Sequence, residues 1–162
     1  MSAADLEAPR ELRKPGDTDA ITFSWADPGA GLYGLARVAG GAGADGAETE
    51  SALAVAFAGR EPLGAIAESS GGTGPVSVVA SVETPLERWS VRARGEVEFA
   101  LTFEALSPPA EYGGRAGIVK AGGMEGYEQL CRVRGRVRAE GRERPVRGLG
   151  QRGHSWGNPD WD

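Results

Sequence analysis

The only histidine of the chain, His154, stands in the run Gly150-Gln151-Arg152-Gly153-His154-Ser155-Trp156-Gly157. Imidazole is the side chain that changes charge near neutral pH, so its first possible chemistry is proton transfer with a carboxylate or phenol partner. Glu128, Asp160 and Tyr127 are the candidates for that partner. The alternative is that His154 anchors the turn after the last strand, with its ring bonded to a backbone carbonyl. Ser155 would point away from His154 if the stretch were extended, and no G-x-S-x-G elbow is present, so nucleophilic hydrolase chemistry ranks low. A single histidine excludes multi-imidazole metal sites, and neither CxxC nor HExxH spacing occurs, so no metal is expected. Trp156 and Trp161 read as core packing, with ligand stacking at a cavity mouth as the alternative.

The elements that must position these residues read as strands. From residue 127 to 139 the odd positions run Tyr127, Gln129, Cys131, Val133, Gly135, Val137, Ala139, while Arg132, Arg134, Arg136 and Arg138 share the other face. This period of two makes it the longest expected strand. Tyr127 and Gln129 place a phenol and an amide on the inward face, where polar groups need partners or a bound ligand. The arginine row reads as the solvated face of an antiparallel strand opposite glutamates, an anion-binding surface being the alternative. Cys131 reads as core. Trp89, Val91 and Ala93 alternate with Arg88, Ser90, Arg92 and Arg94, and residues 96–104 repeat the pattern with Val97, Phe99, Leu101 and Phe103 inward. Pairing these two strands would bring arginines near glutamates, a gain of about 0.2–1 kcal/mol per pair.

Further strands are expected at residues 21–25 and 32–38, joined by a turn at Asp27-Pro28-Gly29, and at residues 51–57 and 76–82. Residues 39–46 are so rich in glycine that they read as a mobile connection. A phosphate loop is disfavoured there, because Glu48 and Glu50 follow rather than a lysine and a hydroxyl residue. Residues 105–124 read as a connection covering one end of a sheet or barrel. Residues 1–20 are polar, with Pro9 and Pro15 breaking any helix begun at Leu6. They read as a lead-in arm, leaving residues 21–162 as one domain.

Composition agrees with an all-β class, since glycine contributes 26 residues and proline 10 of the 162. The net charge of −5, from 18 basic and 23 acidic residues, gives no overall basic footprint for nucleic acid. Cys131 is the lone cysteine, so the fold rests on packing rather than an internal disulfide. No run approaches the roughly 18 apolar residues of a membrane-spanning helix. The start lacks a basic and apolar leader, so a soluble, cytoplasmic protein is expected.

Three stretches in order carry a resemblance: Pro85-Leu86-Glu87-Arg88-Trp89, the strand from Tyr127-Glu128-Gln129, and Gly150 to Gly157. Over residues 20–162 the chain resembles the first half of proteins related to carotenoid 1,2-hydratase (hydroxyneurosporene synthase) and the AttH-like proteins. The pattern there reads Arg-Asp-His-Ser-Trp-Gly and then Arg-Asp-Trp. This chain has Gly153 before the histidine and Asn158-Pro159 before Asp160-Trp161. The resemblance implies an antiparallel lipocalin-like (calycin-type) β-barrel, one half of a two-barrel protein. It also implies cofactor-free hydration, cyclisation or isomerisation of a hydrophobic polyene or isoprenoid-like molecule in a barrel pocket. His154, Glu128 and Asp160 would then be catalytic, with Tyr127, Gln129, Trp156, Trp161 and Trp89 lining the ligand. The partner would be a second barrel domain, another subunit or a second copy. A non-catalytic lipophile carrier, or a scaffold subunit of a split assembly, is the alternative.

Overall fold

The computed structural model describes residues 2–70, 77–112 and 122–159. A five-residue helix, α1 (Ala3–Glu7), precedes ten strands: β1 (Thr18–Asp27), β2 (Leu32–Ala42), β3 (Glu48–Ala58), β4 (Glu61–Ser70), β5 (Val78–Thr84), β6 (Arg88–Ala93), β7 (Glu98–Ala105), β8 (Ala110–Tyr112), β9 (Met124–Ala139) and β10 (Arg142–Gly157). They form one antiparallel sheet in the order β4-β3-β2-β1-β10-β9-β7-β6-β5, with β8 added beside β9. The sheet curls so that its two ends approach. The β4 residue Ile66 lies within 2.9 Å of the position a Cβ on Gly95 would take, and Glu68 accepts a hydrogen bond from the Ser77 amide at 3.3 Å. The fold is thus the expected all-β, lipocalin-like barrel. Its interior is filled by inward residues that alternate along the strands, among them Phe23, Trp25, Leu32, Trp89, Phe99, Leu101, Phe103 and Val133. Phe23 and Phe103 meet at 4.9 Å between ring centroids.

Periodicity places the middle of the chain well. β6 and β7 pair antiparallel, with Trp89 opposite Phe103 and Val91 opposite Leu101. Arg88 faces Glu104 across that pair at 3.8 Å, whereas Arg92 faces Ala100, so only one of the expected cross-strand charge pairs forms there. On β9 the side chains Tyr127, Gln129, Cys131, Val133 and Val137 are buried while Arg132, Arg134, Arg136 and Arg138 are exposed. The arginines lie among glutamates of neighbouring strands, Arg138 opposite both Glu98 and Glu143 and Arg136 3.5 Å from Glu143. Exposed pairs of this kind hold register and solubility more than stability. Burial pushes the Cys131 thiol up to about 11, as befits a core side chain.

Three elements differ from the periodicity reading. The first half of the expected mobile connection at residues 39–46 is strand, because β2 runs on to Ala42 through Gly40 and Gly41, each paired to β1 on one side and β3 on the other. A ladder on both edges compensates for the low strand propensity of glycine. β4 was hidden behind Pro62, which is tolerated at the start of a strand at the end of the sheet order, beside the register shift at Ala56/Phe57. Finally, His154 lies well inside the sixteen-residue strand β10 rather than in a turn after the last strand. Within the expected 105–124 connection, Ala110–Tyr112 pairs with β9, and residues 113–121 lie outside the described residues, as does Val76.

Candidate active site at the α1 end of the barrel

β10 sits between β1 and β9, the two strands that supply the most central neighbours, and its alternation brings Arg152 and His154 to the inner face. In register, Arg152 stands beside Gln129, and His154 between Tyr127 of β9 and Ile21 of β1. Arg152 and His154 are 0% and 1% exposed. Burying a guanidinium costs several kcal/mol unless it is paired and hydrogen-bonded. The arm supplies that partner.

Ser2 caps α1 through a reciprocal capping box with Asp5, which starts a helix that Pro9 forbids to continue. This one and a half turns delivers Leu6 and Glu7 into the end of the barrel, where both are buried. Glu7 pairs with the Arg152 guanidinium. Its other oxygen accepts from Trp89 Nε1 at 2.9 Å and from the Leu86 amide at 3.0 Å. Arg152 also donates to the Tyr127 hydroxyl and lies 4.2 Å over the Trp89 ring and 5.2 Å from that of Tyr127. Burial pushes the Tyr127 phenol far above its usual range, against the opposing pull of Arg152. Tyr127 is therefore a neutral hydrogen-bonding group here rather than a base.

Leu86 has a positive φ of 58°, a strained conformation for a side chain with a Cβ. That turn aims its N–H at Glu7 and leaves its carbonyl to accept from Gln129 Nε2 at 3.0 Å. Gln129 donates again to the Ser107 carbonyl at 2.7 Å, so the inward amide anchors two loops. Its Oε1 and Arg152 Nε are buried without a partner.

The His154 ring bridges barrel and arm. Nε2 is 2.6 Å from Asp19 Oδ1 and Nδ1 is 2.8 Å from the Leu6 carbonyl oxygen. Both partners are acceptors, so the arrangement is fully satisfied when both ring nitrogens carry a hydrogen. Asp19 also accepts the Arg10 amide at 2.9 Å. Tyr127 and Trp156 meet the imidazole edge-on at 6.1 and 5.0 Å, and Arg10 covers the far face of Trp156 at 3.9 Å.

The residues singled out in the sequence therefore separate. Tyr127, Gln129, His154, Trp89 and the half-buried Trp156 converge on the inner face. Glu128 points outward: its carboxylate lies over Gly153, where a Cβ would come within 2.6 Å of Glu128 Oε2, and it accepts from Gln151 Nε2 at 2.6 Å. It does not meet His154. Asp160 and Trp161 lie outside the described residues. Arg152, Asp19 and Glu7 are the members that sequence reading missed. Arg152 stood in the terminal motif as a signal, whereas nothing local marks Glu7 as buried.

The arm is held further along by Asp17, which accepts the amides of Lys14 at 2.8 Å and Arg13 at 2.9 Å and the Asn158 side chain at 3.1 Å. The Lys14 and Arg13 amides, then Asn158, hold its carboxyl below the ordinary value of 3.8. A depressed folded pKa stabilises the docked arm above the unfolded value and loses that contribution as pH falls through the folded one. Acidification below about pH 4 is therefore expected to shift the amide NMR signals of Arg13 and Lys14, and Asp17→Asn should abolish that titration.

On the outer face, a groove of about 420 Å³ collects Arg92, Arg94, Arg136 and Arg138 with Glu98 and Glu143, a mixed and solvated lining. Among the described residues no helix is long and apolar enough to cross a membrane.

The fold is similar to that of two crystal structures at low identity. One is a provisional AttH from Nitrosomonas europaea, with a TM-score of 0.65 and 13% identity over 96% of this chain and 58% of that one. The other is kievitone hydratase from Nectria haematococca, with a TM-score of 0.54 and 12% identity over 90% of this chain and 50% of that one. The chain thus spans about half the length of each. No curated protein matches it by sequence. Residues 4–162 match the model of the family described as Domain of unknown function (DUF7064), and the chain belongs to that family.

Proposed function

We propose that this chain is one barrel of a hydratase-type protein that acts on an apolar, alkene-bearing small molecule, with the inner end of β10 as its site. The observation that carries this reading is the pair Arg152 and His154, completely buried side by side on the inward face of one strand. Ionisable groups held out of water are costly and mark functional sites more often than chance. The barrel likeness to a hydratase supports the reaction class, and the coverage of about half of each neighbour supports a second barrel as partner.

In hydration, a proton adds to one alkene carbon, the oxygen of water bonds to the other, and that water returns a proton to the base. In this scheme His154 supplies and recovers the proton through Nδ1 once the Leu6 carbonyl has left it, with Asp19 holding Nε2. Arg152 and Tyr127 would orient the polar end of the substrate. A polyene or isoprenoid is the substrate class the resemblance favours, and no cofactor is needed for the steps given. Glu128 faces outward and takes no part in this scheme.

The protein incubated with isoprenoid and polyene alkenes in ¹⁸O-labelled water should give products carrying one added labelled oxygen. His154→Ala should lower that turnover by about 10²–10⁴-fold, the usual contribution of a positioned acid or base. Unchanged turnover in the variant would remove the acid-base role. Alkenes retained on the protein without labelled product would instead favour a lipophile carrier.

A further inference from the structure

We infer that the Arg152 end of the barrel is a binding site for an organic carboxylate with a small apolar body, filled in this structure by the chain's own Glu7 and Leu6. The inference deepens the reading above and rests on this end of the barrel being the ligand site.

Three donors from two distant stretches converge on the two oxygens of one carboxylate: the Arg152 guanidinium of β10, the Trp89 indole N–H of β6, and the strained Leu86 amide in the turn before β6. All three belong to the barrel strands and the β5–β6 turn, whereas the carboxylate arrives on a five-residue helix. Of the residues 2–9 that carry it, only Leu6 and Glu7 are buried. The donors are thus built into the barrel, and the acceptor is a removable part. Arg152 Nε is buried with no partner, which leaves guanidinium capacity that Glu7 does not use and that a better-placed carboxylate could take in a two-pronged pair. Beside the carboxylate the apolar Leu6 side chain is buried, and its carbonyl occupies His154 Nδ1. A ligand that replaces both residues gains the same donors and frees that ring nitrogen. Because Glu7 competes for the site, a free acid binds the unaltered chain weakly, its affinity reduced by the fraction of molecules with α1 undocked.

The test compares octanoate with octan-1-ol, which has the same chain and no charge, by titration calorimetry. The imidazole NMR signals of His154, the only histidine, report engagement of the site. Glu7→Gln is expected to bind octanoate at least tenfold tighter than the unaltered chain does, and at least tenfold tighter than it binds octan-1-ol, with the imidazole signals shifting. Adding Arg152→Met should erase the preference for the acid. The double variant Ser2→Ala/Leu6→Ala weakens α1 docking with every charged group in place. It should also gain octanoate affinity, which covers the case in which Glu7→Gln folds poorly. Equal binding of acid and alcohol, or no heat and no imidazole shift in either variant, overturns the inference. Octanoate binding without hydration of neutral alkenes counts against the enzyme reading alone, and hydration by a site indifferent to octanoate counts against the carboxylate assignment alone.

Discussion

Replacing Arg152 by methionine is expected to destabilise the protein by about 3 kcal/mol and to unseat α1. Removing one member of a buried ion pair ordinarily costs about 3–5 kcal/mol, because the other charge is left without compensation. Here Glu7 retains the Trp89 and Leu86 donors and has an exit, since its short helix can leave the barrel. The loss is capped by what docking contributes, chiefly the burial of Leu6, about 1.5–3 kcal/mol, and the hydrogen bonds to Glu7 and His154. For a domain of this size the melting temperature should fall by roughly 6–12 °C, at about 2–4 °C per kcal/mol. Faster tryptic cleavage after Arg10 and Arg13 would show that the arm, and not the sheet, has opened. A melting temperature within about 2 °C of the unaltered protein's would mean that the guanidinium is not the counterion of Glu7.

Trp89→Ala should cost more, about 3–5 kcal/mol, with no such exit. Trp89 is 1% exposed near the start of β6, where it packs the core, lies under Arg152 and donates to Glu7. Trp89→Phe keeps most of the packing and loses the indole N–H, so a smaller loss of about 1–3 kcal/mol is expected. Measured by urea unfolding, Trp89→Phe and Arg152→Met should be non-additive, with a coupling of about 0.5–3 kcal/mol, since both act through Glu7. Strict additivity would separate the indole from the ion pair.

How far the site was legible follows from the same residues. Tyr127, Gln129 and Trp89 could be assigned to an inward face because strand alternation is local: side chains two apart share a face whatever the rest of the chain does. Gly153, unusual before the histidine, has its explanation one strand away, where Glu128 covers its Cα. Residue types alone made Glu128 a partner for His154, yet adjacent residues of a strand point to opposite faces, and β9 and β10 are in register with Tyr127 opposite His154. The acid that does meet His154 is Asp19, 135 residues away.

β10, like β4, escaped the periodicity reading, and its composition shows why. Its sequence is dominated by glycine, arginine and polar residues, and its small inward positions are shaped by neighbours: a Cβ on Gly150 would come within 2.6 Å of Val133 Cγ2 and 2.9 Å of Phe103 Cε1. Packing against large partners, rather than its own hydrophobicity, makes this stretch a strand.

By itself the sequence determined an all-β class and the inward and outward faces of its middle strands, because alternation and residue type act over a few positions; the barrel was what the resemblance implied. The tertiary structure alone decided that a polar arm becomes the plug of the barrel. Glu7 and Arg152 lie 145 residues apart, and no local pattern foretells which acid will meet a buried guanidinium. That pairing exists only because the curled sheet leaves an open end, and a buried charge must be matched by whichever part of the chain can reach it.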